Sequence, residues 1–149
     1  MAVIINGRDL TIEQVISVCR HHEKVELAPE AIEAVNKARA YVEKKVAEKA
    51  VEKVAEKALT TGFGKFASVA IDTDQTAELQ RNLIISHTCS MGKPYDQKYV
   101  RAAMLLRANS LSRGNSGIRL ETLQTLIDML NAGIHPIVPE KGSVGASGD

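Results

Sequence analysis

The apolar run Val3-Ile4-Ile5 stops at Asn6-Gly7, a pattern that predicts a short strand closed by a turn. Thr11-Ile12-Glu13-Gln14 then has the spacing of a capping box, in which a hydroxyl and an amide three residues later satisfy each other's free backbone N–H groups. A helix through about Arg20 is expected. Pro29 suits the first turn of a second helix, and from Glu30 to Thr61 neither glycine nor proline interrupts it. Asp72-Thr73-Asp74 is suited to cap a third helix running to about Ser90. Its apolar face would hold Leu79, Leu83 and Ile84, and Gly92-Lys93-Pro94 would end it. Asp96 is placed to cap a fourth helix ending near Gly114, and Leu120 to Asn131 reads as a fifth closed by Gly133. Ile134-His135-Pro136-Ile137-Val138-Pro139 is expected to be extended, because each proline disfavours a helical residue before it.

Within the long second helix, Val46-Ala47-Glu48-Lys49-Ala50 recurs letter for letter as Val54-Ala55-Glu56-Lys57-Ala58. Val46, Ala50, Val54 and Ala58 form one apolar stripe at four-residue spacing, with Ala47, Val51, Ala55 and Leu59 alongside. On the other side Lys45, Lys49 and Lys53 each meet a glutamate three residues on, pairs worth about 0.2 to 0.5 kcal/mol apiece. This is a low-complexity helix former with one packed face and no catalytic content. The literal repeat points to redesign rather than drift.

Composition narrows the function classes. The 149 residues are enough for one domain, and 44% hydrophobic content fills a core. With 3% aromatics and no tryptophan that core must be aliphatic, which favours packed helices. A net charge of +1, from 19 basic and 18 acidic residues, provides no field for nucleic acid or an anionic membrane. Cys19 and Cys89 lack any metal-ligand or CxxC spacing, so no metal site is expected and both read as idle thiols in a reducing compartment. Without a bilayer-length apolar stretch or a signal peptide, a cytoplasmic protein is expected.

Candidate chemistry lies in two glycine-rich stretches. Thr60-Thr61-Gly62-Phe63-Gly64 brackets an aromatic with glycines, suited to a loop that approaches another backbone or a ligand closely. Gly142-Ser143-Val144-Gly145-Ala146-Ser147-Gly148-Asp149 holds an Ala-Ser-Gly triplet able to cyclise. The Gly148 amide nitrogen must reach the Ala146 carbonyl carbon, an approach only a residue without a side chain tolerates. Loss of water, including the Ser147 hydroxyl, then leaves an exocyclic methylidene. By composition alone, a glycine- and serine-rich end is also an ordinary flexible tail.

Four motifs in order, Thr60 to Gly64, Leu79-Gln80-Arg81-Asn82-Leu83 with Ser86-His87, Leu105-Leu106-Arg107-Ala108-Asn109 with Gly114 and Ser116-Gly117, and the terminal Gly-Ala-Ser-Gly-Asp, resemble the aromatic amino acid ammonia-lyases. The likeness is greatest to the histidine ammonia-lyases and runs over nearly the whole chain. It implies a mainly α fold, here a helical N-terminal domain over residues 1–149 with a short N-terminal strand and an extended C-terminal segment. It also implies that Ala146, Ser147 and Gly148 mature into a methylidene-imidazolone group, the catalytic electrophile. Such enzymes take an aromatic amino acid as substrate and form homo-oligomers whose active sites draw on several subunits. His87 matches the position that contacts the substrate side chain, and Gly62 belongs to the matching substrate loop. Asn109, Arg107 and Arg113 are equally readable as structural residues that anchor helix ends or carboxylates.

The chain departs from the family pattern at Lys57-Ala58, where the resemblance implies a tyrosine base followed by glycine. Lysine accepts a proton at neutral pH only if desolvation or a neighbouring cation lowers its pKa by several units, and the Lys/Glu-rich helix offers neither. The family's remaining acid/base and binding residues lie in a helical bundle after the triplet. The isolated chain is therefore expected to be an inactive N-terminal fragment with an unprocessed triplet, while the full-length form eliminates ammonia from L-histidine to give urocanate. The alternatives are an engineered helical scaffold or oligomerisation module, or a parent that is a tyrosine ammonia-lyase or aminomutase.

Overall fold

A computed structural model describes residues 2–52, 76–88 and 90–142. The element order is β1 (Val3–Ile5), α1 (Ile12–His21), β2 (Val25–Leu27), α2 (Pro29–Glu52), α3 (Thr76–His87), β3 (Met91–Pro94), α4 (Gln97–Leu111), α5 (Leu120–Asn131) and β4 (Pro139–Lys141). The chain divides into two units, residues 1–44 with 95–138, and residues 45–94 with 139–149.

The first unit carries an aliphatic core. Thr11 caps α1 as its sequence requires: its hydroxyl accepts from the Gln14 N–H at 3.3 Å, and Gln14 Oε1 accepts from the Thr11 N–H at 2.9 Å. Asp96 caps α4 by accepting from the Lys98 N–H at 3.0 Å. With ends fixed in this way, α1 packs on α4 and α4 on α5. Val18, Leu105, Ala108, Leu123 and Ile127 close the interior completely, each 0% exposed. In β1 the side chains alternate, with Val3 and Ile5 buried and Ile4 facing out, as a strand's two-residue period dictates.

The sequence reading contained no second strand here. β2 runs parallel to β1, with Val3 opposite Val25 and Ile5 opposite Leu27. Three residues are too few for a periodic signal; the strand exists because β1 and the end of α5 both engage it. Asn131, the last residue of α5, accepts from the Val25 N–H at 2.8 Å and donates to the Val25 carbonyl at 2.9 Å. The α4 helix ends at Leu111, near Gly114 as expected, and Gly114 takes φ +73°. A Cβ there would lie 2.6 Å from the carbonyl carbon and oxygen of Ala34, so only glycine lets the chain pass α2 this closely.

The second unit holds the end of α2, then α3, β3 and β4. Lys45 Nζ meets Glu48 Oε2 at 3.0 Å, the first of the three expected helical ion pairs. The other two, the repeat beyond Glu52, the Asp72–Asp74 cap, Lys57-Ala58 and Cys89 lie outside the described residues or side chains. The α3 helix ends at His87 instead of about Ser90, because residues 91–94 pair with β4 in an antiparallel ladder that a helix cannot enter. Leu79 and Leu83 are half-buried, whereas Ile84 is 66% exposed and does not join the expected apolar face.

Candidate functional site

His87 is the final residue of α3. Gly62, Ala146, Ser147 and Gly148 lie outside the described residues. What the structure describes is the framework on either side of the sequence-derived candidates. In the ladder of β3 and β4, Met91 lies opposite Lys141 and Pro94 opposite Pro139. Because the strands are antiparallel, the start of β3 and the end of β4 share one end of the ladder. His87 precedes Met91 by four residues and Ala146 follows Lys141 by five.

The ladder is irregular: three steps along β3 oppose two along β4, which is the count of a bulge. Gly92 sits in it with φ +100°, where a side chain is strained. A Cβ on Gly92 would also lie 2.9 Å from Cγ of the exposed Glu140 side chain, which would have to shift to admit it. The residue after β4, Gly142, takes φ +127°.

In the first unit, an apolar cavity of about 580 Å³ is lined by Tyr95, Tyr99, Ala103, Met104, Arg107 and Val138, among others. Arg107, one of three polar residues read as possibly structural, lies on its wall. Asn109 is structural: its Oδ1 accepts from the Gly7 N–H at 2.9 Å and holds the turn after β1 against α4. Arg113 lies against Gly7 as well, with its Cγ where a Cβ on that glycine would fall.

A buried cation escaped the sequence reading. Arg101 is 2% exposed, and its guanidinium donates from Nη1 to the Leu130 carbonyl and from Nη2 to the Val18 carbonyl, each at 2.9 Å. Burial pushes its pKa below the usual arginine value, although a guanidinium starts high enough to remain charged. The signal was available, because Arg101 falls in the stripe with Met104, Leu105 and Ala108 at helical spacing. At the start of α4, the backbone N–H of Lys98 and its ammonium, 3.0 Å away, hold the Asp96 carboxyl below its ordinary pKa. Among the described residues no group of three or more His, Cys, Asp or Glu is placed to hold a metal, and no helix is long and apolar enough to cross a membrane.

The family model for aromatic amino acid lyases matches residues 10–149. The histidine ammonia-lyase of Alkaliphilus metalliredigens is 54% identical over 147 residues, which cover 99% of this chain and 28% of that protein. Among solved structures, the tyrosine aminomutase of Streptomyces globisporus superposes with a TM-score of 0.85 at 31% identity, covering 96% of this chain and 26% of its own. The histidine ammonia-lyase of Trypanosoma cruzi gives 0.81 at 34% identity, covering 97% and 27%. The chain thus spans little more than a quarter of the length of these relatives. Likeness that runs along almost the whole chain does not favour the scaffold alternative.

Proposed function

The chain belongs to the aromatic amino acid lyase family, and on that premise we propose that it is the triplet-bearing part of a histidine ammonia-lyase, which releases ammonia from L-histidine to give urocanate. The observation that carries this reading is the family match over residues 10–149, a span that takes in Gly62, His87 and Ala146 to Gly148. In the elimination, a proton leaves the β-carbon for a base, its electron pair forms the new carbon–carbon double bond, and the carbon–nitrogen bond breaks to release ammonia.

The residues present suit a methylidene-imidazolone. Gly148 offers an amide nitrogen with no Cβ in the way, Ala146 the carbonyl carbon, and Ser147 a hydroxyl that departs as water. The strand β4, paired to β3, feeds the chain into them through Gly142. Once formed, the group supplies an electrophile that turns the substrate amine into a better leaving group. The role left to the chain's own residues is recognition: His87 and Gly62 are the substrate-binding positions, with His87 meeting the substrate side chain. Lys57 stands where the resemblance implies a tyrosine base, and a lysine serves as a base at neutral pH only where desolvation or a neighbouring cation lowers its pKa by several units. The chain alone is therefore assigned no turnover.

We place the complete protein in the cytoplasm as a homo-oligomer, a state that sedimentation equilibrium reads directly. The test of function supplies the chain with the remaining polypeptide of a histidine ammonia-lyase, in both the Lys57 form and a Lys57→Tyr/Ala58→Gly form. Urocanate from L-histidine by the second form, together with a mass deficit of two waters in the 149-residue chain, is the expected result. A tyrosine-specific parent is not favoured, because the chain is 54% identical to a histidine ammonia-lyase and 31% identical to the tyrosine aminomutase. No urocanate from the second form would overturn the reading.

A further inference from the structure

We infer that the apolar cavity beside α4 is the seat of an amphipathic helix with an acidic flank, supplied by the polypeptide that the relatives have beyond the span matched here. The inference rests on the reading of the chain as part of a histidine ammonia-lyase. Along α4, Tyr99, Ala103 and Arg107 recur at four-residue spacing and line the cavity over two turns, about 12 Å. Pro136 and Val138 extend the lining from the segment after α5, which the Tyr95 N–H ties to the start of α4 by donating to the Val138 carbonyl at 2.9 Å. The core does not need this face. Leu105 and Ala108 turn the opposite side of α4 inward and are 0% exposed, whereas Tyr95 and Tyr99 stand 51% and 60% exposed. None of the buried core side chains among the described residues is aromatic, yet two of the three tyrosines line this one cavity, and tyrosine is enriched where proteins meet. Charge selects the occupant. Lys98 holds its ammonium 5.0 Å from the Tyr99 ring centroid and pairs with Asp96 at 3.0 Å, while Arg107 has no ion pair among the described residues. An apolar groove with cations along it suits a helix that carries carboxylates beside its apolar face. A second copy docked on the same face would instead set like charges against each other. The chain covers little more than a quarter of the relatives' length, so most of such a protein is available to cover what is open here.

Ala103 reports on the seat, because it is exposed in the middle of the α4 lining and Ala103→Cys adds only a sulfur there. The rate at which iodoacetamide alkylates position 103 is followed by peptide mass spectrometry, which separates it from Cys19 and Cys89. It is measured in the 149-residue chain alone and in the same chain joined to, or co-expressed with, the remaining polypeptide of a histidine ammonia-lyase, with far-ultraviolet circular dichroism confirming that each form is helical. In the completed protein the rate should fall at least about tenfold, since the thiol is then reached only through local opening. Arg107→Glu should return at least about threefold of that loss by placing like charges at the flank. Equal rates in the chain and the completed protein would overturn the seat, and a slowed rate that Arg107→Glu leaves untouched would overturn the acidic flank. Protection in the chain alone that grows with its concentration would give the cavity to a second copy and overturn the inference as well. Alkylation requires neither cyclisation nor turnover. Urocanate formation without protection of position 103 would therefore sink this inference alone, and protection without urocanate the lyase reading alone.

Discussion

Arg101 carries a full charge into an aliphatic interior and spends it on two backbone carbonyls, those of Val18 near the end of α1 and Leu130 near the end of α5. Helix C-termini carry partial negative charge, so a guanidinium between two of them is stabilised without a carboxylate. Truncation would leave both carbonyls without this donor and open a cavity; Arg101→Ala is expected to lower stability by about 3 kcal/mol in urea titrations. Arg101→Lys, with one compact ammonium for two diverging carbonyls, should recover only part of that loss. A loss below about 1 kcal/mol for the alanine variant would mean that the guanidinium's burial costs as much as its bonds return. Asp96 makes a pH prediction. Its folded pKa lies below the unfolded one, so the cap's contribution is fully present above the ordinary aspartate range and is lost as pH falls through the lower folded value. Asp96→Asn keeps an N-capping oxygen and should remove this part of the acid sensitivity, read as a smaller drop in urea midpoint between about pH 5 and about pH 2.

At the scale of elements, ends set by local chemistry were legible and ends set by neighbours were not. The Thr11 capping box and the Asp96 cap follow from residues within three positions, and both form. Thr11→Ala is expected to cost about 1 kcal/mol by removing the side-chain acceptor for the Gln14 N–H. Past the end of α4, Gly114 crosses the backbone of Ala34. Gly114→Ala should cost more than the cap does, about 2 kcal/mol, since it combines a strained φ with a backbone clash. A measured loss equal to that of an ordinary surface glycine would show that α2 yields. The early end of α3 has a tertiary origin, in the pairing of Met91–Pro94 with Pro139–Lys141, two segments more than forty residues apart in sequence.

Across the whole molecule the burial is uneven. Leu105, Leu123 and Ile127 are fully buried in the first unit, whereas none of the described side chains of α3 in the second is. Amide protection follows buried packing, so the amides of α4 and α5 are expected to exchange last and those of α3 well before them. Hydrogen exchange followed by mass spectrometry checks this, and equal protection in α3 and α5 would contradict it. The candidate site follows the same division. Its candidate residues are named from the order of four short motifs, by what glycine, serine and histidine side chains do or lack. The close approach of Gly92 to Glu140 carries no such local mark, since only the ladder places one against the other.

The sequence by itself determined the aliphatic helical core, the capped starts of α1 and α4 and the family to which the chain belongs. These depend on local hydrogen bonding, side-chain periodicity and motif order, all of which are written within a few residues. Tertiary structure alone decided the second strand beside β1, the burial of Arg101 between two helix ends and the bulged pairing of β3 with β4. Each of these needs groups far apart in the chain to satisfy one another's hydrogen bonds or to share space, and a linear pattern carries no record of which distant partner arrives.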